Sequence, residues 1–200
     1  MEENTILQPE IKAPENKSPI KKYIEIIWEF VKIIIIAAII VLPVRYFLFQ
    51  PFIVKGDSMV PNFHSGDYLL VDELSYRFSE PARGDVVVLK YPLDNTQRFI
   101  KRVIGLPGET VDVKKGKVTI FKDGKELEID EKLYLPDGLS TDGTVHITLG
   151  KDNYFVMGDN RQFSYDSRRW GMLPIEDIIG KARLRVFPIA TMKYIANPNY

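Results

Sequence analysis

Three short segments carry side chains capable of covalent or proton-transfer chemistry. The first, Gly56-Asp57-Ser58-Met59-Val60-Pro61, presents a serine in a run of turn formers. It is not a G-x-S-x-G nucleophile elbow, because Val60 stands where the second glycine belongs. A serine nucleophile needs a base, and the chain offers two histidines. His64 follows in a Gly/Asn/Ser-rich turn, and His146 lies in the strand-like T-V-H-I-T on a mostly polar face. A Ser-His-Asp triad has no specific support from these positions.

Lysine is the other available base. Its unperturbed pKa of about 10.4 keeps it protonated at neutral pH, so it serves as a base only where burial populates the neutral amine. The second segment, Arg98-Phe99-Ile100-Lys101-Arg102-Val103-Ile104-Gly105-Leu106-Pro107-Gly108-Glu109, has strand alternation. Phe99, Lys101 and Val103 fall on one face, and Ile100, Arg102 and Ile104 on the other. Lys101 thus shares a side with apolar neighbours. The pattern leaves open both a desolvated base and a solvated lysine beside Arg98 and Arg102.

The third segment runs from Gly158-Asp159-Asn160-Arg161 through Ser164, Asp166, Arg168 and Trp170 to Gly171, and is dense in hydrogen-bonding groups. It reads either as a polar loop of Asx turns and surface ion pairs or as a shell in which Ser164 and Asp166 orient an amine while an arginine pairs the carboxylate.

These segments must be held by a mainly β framework. Beyond Phe52 the chain shows short alternating or β-branched runs such as DYLLVDEL, DVVVLKY, RFIKRVIGL and GKARLRVF, separated by Gly, Pro, Asn and Asp. This spacing predicts an antiparallel β architecture over residues 52–200. Lys115-Gly116 and Asp123-Gly124 predict hairpin turns between strands near 110–114, 117–122 and 125–129. The more charged stretch from about 112 to 150 reads as an insertion on a core built from 52–111 and 151–190. Short helical turns are expected at 75–81 and 174–179.

The N-terminal quarter differs. Residues 1–22 are rich in charge and proline and read as a flexible tail. Residues 23–51 read as a transmembrane anchor helix, apolar from Phe30 onward except for Lys32, Pro43, Arg45 and Gln50. A bilayer core of about 30 Å needs roughly 20 helical residues. The uncharged run from Ile33 to Val44 is shorter than that, so a span requires Lys32 and Arg45 to snorkel to opposite interfaces. Tyr46, Phe47, Phe49 and Phe52 then fall at an outer aromatic belt, and Lys12, Lys17, Lys21, Lys22 and Lys32 place the N-terminus in the cytoplasm. A cleavable signal peptide competes with this reading, but no small-x-small site follows the run. A buried core helix is the other alternative, disfavoured because the run is apolar all round and follows a polar tail.

Of the 200 residues, 45% are hydrophobic, enough for one ordinary core, and Lys plus Arg equals Asp plus Glu at 27 each. That balance gives no electrostatic case for nucleic acid. The absence of cysteine excludes a disulfide framework, a thiolate metal site and a cysteine nucleophile.

Taken in order, the segments resemble type I signal peptidases, most closely the small single-span form of Gram-positive bacteria. The match covers about Phe30 to Phe187: an apolar anchor ending R-Y-F-L-F-Q-P-F, then G-D-S-M-V-P, G-D-Y-L-L-V-D-E, K-R-V-I-G-L-P-G-E and G-D-N-R-x-x-S-x-D-S-R-x-W-G. The resemblance implies an antiparallel β catalytic domain of signal-peptidase type behind one transmembrane helix. It implies Ser58 as nucleophile and Lys101 as general base, with Ser164 hydrogen-bonded to the Lys101 amine and Asp166 and Arg168 bracing that shell. The Ser58 backbone N–H would be one oxyanion donor. Phe52, Val54, Met59, Phe99 and Ile100 would form pocket walls for small residues at the first and third positions before the cut.

The same resemblance implies no metal or cofactor. Its partners would be preprotein signal peptides, the lipid bilayer and the secretion translocon, with the enzyme in the cell membrane and its catalytic domain outside. Two positions depart from the pattern. Family members with a serine two residues before the nucleophile use its hydroxyl as a second oxyanion donor, and here Gly56 stands there. Asn62 replaces the threonine common after S-M-x-P.

Three other readings share features with this one. A relative with the same dyad and a single secreted or pilus client would be distinguished by a panel of preproteins. Self-cleaving repressors share the dyad but carry a DNA-binding helix-turn-helix where this chain has its apolar segment. A non-catalytic membrane-anchored binding module would have no reason to retain both Ser58 and Lys101.

Overall fold

Alternation of apolar residues and Gly- or Asp-led turns organises most of the chain after residue 48 into β-structure. The computed structural model describes residues 19–43, 49–136 and 138–198. The chain divides after Pro43 into two units.

The first unit holds helix α1, Pro19–Pro43. Pro19 suits the first turn, where its missing N–H has no helical partner. Glu25, Glu29 and Lys32 interrupt its first half, and among the described residues no helix is long and apolar enough to cross a membrane. The expected tail over 1–18 and the expected boundary residues Arg45, Tyr46 and Phe47 lie outside the described residues. Ile33, Ile34, Ile35 and Ile36 are 61%, 65%, 49% and 58% exposed. At 3.6 residues per turn, four consecutive exposed isoleucines present apolar surface around the whole circumference.

The second unit contains two antiparallel sheets. The larger is built from β1 (Phe49–Ile53), β2 (Tyr68–Asp72), β3 (Val86–Tyr91), β4 (Asp94–Gly105), β9 (Asn153–Met157), β10 (Leu173–Pro174), β11 (Ile178–Phe187) and β12 (Lys193–Tyr194). Their order is β1-β2-β11-β3-β4-β9-β10, with β12 on β11. The smaller comprises β5 (Thr110–Lys114), β6 (Lys117–Lys122), β7 (Lys125–Glu128) and β8 (Val145–Thr148), ordered β7-β6-β5-β8. Lys115 and Gly116 (φ 52° and 81°), and Asp123 and Gly124 (φ 51° and 73°), turn its hairpins with the positive φ values that two-residue loops require. Short 3-10 turns occupy Ser75–Arg77 and Ile175–Asp177.

Three apolar clusters fill the unit. Ile104, Val111, Val113, Val118, Ile120, Phe155 and Met157 tie the small sheet to the large one. The two faces of β4 serve the others: Ile100 joins Val54, Met59, Phe63, Leu69 and Val86, whereas Val103 joins Val87, Leu89, Tyr154 and Val156, with Phe99 packed against them. Lys101 pairs across the ladder with Val87 on β3. A cationic side chain is therefore placed among groups that cannot hydrate it.

Candidate active site

Ser58 lies in the loop between β1 and β2, which closes on itself through Val54 N–H to Asp67 O and Gly66 N–H to Val54 O, each 2.9 Å. Met59 and Phe63 are buried in the core, and Phe63 N–H donates to Met59 O at 2.9 Å. The polar loop at 158–166 clasps the same turn. Asn160 donates from its backbone N–H to Ser58 O at 3.0 Å and from Nδ2 to Asp57 O at 2.9 Å. Ser58 is thus half-buried on a turn fixed from both sides, and its own N–H makes no hydrogen bond among the described residues.

Lys101 reaches this turn from the middle of β4. Its Nζ donates to Ser58 Oγ at 2.9 Å and to Ile100 O at 3.1 Å, and lies 5.1 Å from the centre of the Phe99 ring. The residue is only 3% exposed. Burial lowers its pKa to about 8, opposed in part by the charges of Asp166 and Asp159 and assisted by Arg168. At neutral pH a useful fraction of the amine is therefore unprotonated, as a base for a hydroxyl requires. His64 and His146 are exposed, and His146 Nδ1 is engaged with Asp112 at 3.2 Å.

The supporting residues meet this pair through Gly158. A Cβ at Gly158 would lie 2.2 Å from Ser164 Oγ and 2.3 Å from Ser58 O, so only glycine permits the three segments to touch. Gly158 N–H donates to Asp166 Oδ2 at 3.0 Å. Arg168 clamps the same carboxylate through Nε to Oδ1 and Nη2 to Oδ2, both 2.8 Å. Burial of Asp166 would raise its pKa, but the Arg168 hydrogen bonds and charge outweigh that and hold it below the usual carboxylate range. Ser164 Oγ is buried without a hydrogen-bond partner of normal geometry. The Ser164–Lys101 bond that the resemblance implies is not made, because the Lys101 amine turns to Ser58 Oγ and Ile100 O instead.

A cleft of about 510 Å³ opens over Ser58 and Lys101, with Phe52, Phe99 and Ile100 among its walls. Val54 and Met59 are placed differently. At 1% and 0% exposed, they pack behind the cleft against Ile100 and Leu69 and do not line it. The reason is loop closure, which uses Val54 and Met59 as the apolar anchors of the Ser58 turn.

Sequence reasoning did not identify a further set of residues. Arg102, 4% exposed, grips Asp159 through Nε to Oδ1 at 2.8 Å and Nη2 to Oδ2 at 2.6 Å, joining the strand that carries Lys101 to the loop that clasps Ser58. Asn62 Nδ2 donates to Asp159 Oδ2 at 2.9 Å and to Tyr134 O at 2.7 Å. Arg161, fully buried, bonds Gly158 O, Tyr134 Oη, Thr141 and Glu131. Arg102 carried a signal: an arginine on the apolar face of Ile100 and Ile104 demands a buried carboxylate.

The signal peptidase family, peptidase S26, matches residues 27–187. A probable signal peptidase I-1 of Synechocystis is 38% identical over 172 residues, covering 80% of this chain and 85% of its own. A signal peptidase I of Bacillus amyloliquefaciens is 36% identical over 193 residues, covering 92% and 97%. One of Leptolyngbya laminosa is 35% identical over 199 residues, covering 96% and 91%. The chain therefore belongs to the signal peptidase family S26 and is a serine peptidase of the type I signal peptidase kind.

Proposed function

We propose that this peptidase removes signal peptides from exported preproteins after a small-x-small sequence, with Ser58 as nucleophile and Lys101 as general base. The observation that carries the reading is the 2.9 Å approach of the buried Lys101 amine to Ser58 Oγ. Neutral Lys101 takes the Ser58 proton as Oγ attacks the scissile carbonyl carbon. The developing oxyanion is met by the Ser58 N–H. Collapse breaks the C–N bond, and the Lys101 ammonium returns its proton to the departing amine of the mature chain. A water, deprotonated by Lys101, then hydrolyses the acyl ester and releases the signal peptide as a carboxylate.

The substrate would bind extended in the cleft, pairing with the strand near Val54, with Phe52, Phe99 and Ile100 restricting the side chains beside the cut. The reading needs neither metal nor cofactor. The apolar circumference of α1 supports a role for it, together with the residues that follow, as a single membrane anchor with the N-terminus in the cytoplasm and the catalytic unit outside. Such an anchor holds the site near the bilayer, where a signal peptide ends.

The test is cleavage of a preprotein bearing an Ala-x-Ala site by the full chain in detergent. Ser58→Ala and Lys101→Ala are each expected to abolish cleavage, and chelators to leave it intact. Substantial activity in either variant overturns the assignment.

A further inference from the structure

The walls of the Ser58 cleft are not only apolar. Lys55 and Arg98 line it alongside Ser58, Phe99 and Lys101, and no acidic residue does. Both cations are exposed, and neither makes an ion pair or side-chain hydrogen bond among the described residues. They flank the reacting pair in a regular way: Lys55 precedes Ser58 in the loop after β1, and Arg98 precedes Lys101 on β4.

The nearest acidic candidates do not neutralise them. Asp94 accepts from Thr96 N–H at 3.1 Å, Thr96 Oγ1 at 2.6 Å and Gln97 Nε2 at 2.8 Å, so its carboxylate is turned to its own loop. Glu73 and Glu176 line with Arg98 a second groove that does not include Ser58 or Lys101, where Lys90 also sits, and neither forms an ion pair with Arg98. Asp57, beside Ser58, is exposed and outside the cleft lining. A peptide laid in the cleft therefore meets two positive charges, neither held in an ion pair among the described residues.

We propose that Lys55 and Arg98 are specificity-determining residues that favour substrates with acidic side chains flanking the small-x-small core and disfavour basic ones. The inference rests on the peptidase reading above and adds a charge criterion to it. Unlike a neutral pocket, which sorts by size, a cleft with one sign of charge raises the local concentration of oppositely charged ligands and penalises like charge. Because both cations are exposed, each contributes modestly, roughly threefold to fivefold in kcat/KM, and salt screens the effect.

The experiment uses the full chain in detergent with three peptides that share one Ala-x-Ala core and carry Glu, Gln or Lys at the flanking positions. The expected order of kcat/KM is Glu, then Gln, then Lys, with a spread of about tenfold that narrows in high salt. In the double variant Lys55→Glu/Arg98→Glu the order is expected to invert. An order unchanged by the double variant overturns the proposal while leaving the peptidase reading intact. Failure of the unaltered chain to cleave any of the three overturns that reading and this one with it. If the double variant instead loses binding to phosphatidylglycerol vesicles and keeps the peptide order, the cations serve lipid headgroups and the proposal is wrong.

Discussion

Asn62 and Asp159 are joined by a hydrogen bond of 2.9 Å from Nδ2 to Oδ2, and the same Asn62 nitrogen also donates to Tyr134 O at 2.7 Å. The side chain thereby fastens the Ser58 turn both to the Arg102–Asp159 pair and to the segment leaving the small sheet. A threonine at this place has one hydroxyl hydrogen and satisfies only one acceptor. The departure at position 62 is thus a second tether for the Ser58 turn. Asn62→Ala is expected to destabilise the fold by about 1–2 kcal/mol and to lower kcat more than it raises KM. Asn62→Thr should fall between the two, as read by denaturant melts and peptide kinetics.

Arg102 and Asp159 form a bidentate pair with side chains 5% and 0% exposed. Removing one partner leaves the other charged and buried. Asp159→Asn is expected to cost about 3–5 kcal/mol, and replacing both by apolar residues to cost less than the single change. Urea unfolding of the three variants measures this.

Ser164 presents the opposite case. Its Oγ is buried without a hydrogen-bond partner of normal geometry among the described residues and makes only a weak favourable contribution to the Asp166 carboxylate, so Ser164→Ala deletes a poorly bonded group. The folded state should lose little or even gain stability. If Ser164 orients the Lys101 amine once substrate is bound, kcat falls roughly tenfold in the same variant. Unchanged kcat would leave Ser164 as packing around Gly158 only.

Lys101 couples activity to pH and to stability. With Lys101 as the proposed base, its amine loses its proton as pH rises through about 8, so kcat/KM should climb along a single ionisation near that value. For stability, the folded pKa lies below the unfolded one. The unfolded chain holds more protons between those values, and stability rises with pH across that window, while the full cost of burying the cation is present below about 8. Lys101→Met is therefore expected to be inactive and yet more stable at neutral pH, by on the order of 3 kcal/mol. A lower Tm for this variant at pH 7 would contradict the desolvated state of the amine.

Much of this arrangement was legible in the sequence because it is periodic or local. Alternation in β4 placed Lys101 with Phe99 and Val103, and the Lys115-Gly116 and Asp123-Gly124 turns located the hairpins of the small sheet. Phe99 and Ile100, pocket walls only by the resemblance, do line the cleft. What escaped has no local signature for its partner, even where, as at Arg102, one side of the pair is conspicuous. The resemblance made Val54 and Met59 pocket walls, but closing the loop uses them as core anchors. The Arg102–Asp159 pair, the Asn62 bridge and the buried Arg161 network each join segments far apart in the chain, and no spacing rule announces such partners. The orientation of Ser164 Oγ is set by packing against Gly158, beyond the reach of any motif.

The central claim is that Ser58, activated by Lys101, carries the acyl group. The most direct measurement is intact-mass and peptide-mapping spectrometry of the full chain quenched during turnover of a slow Ala-x-Ala ester or peptide. An acyl adduct is expected, confined to the peptide containing Ser58 and absent from Ser58→Ala and from Lys101→Ala. An adduct on another residue, or turnover by the Ser58→Ala variant, would contradict it.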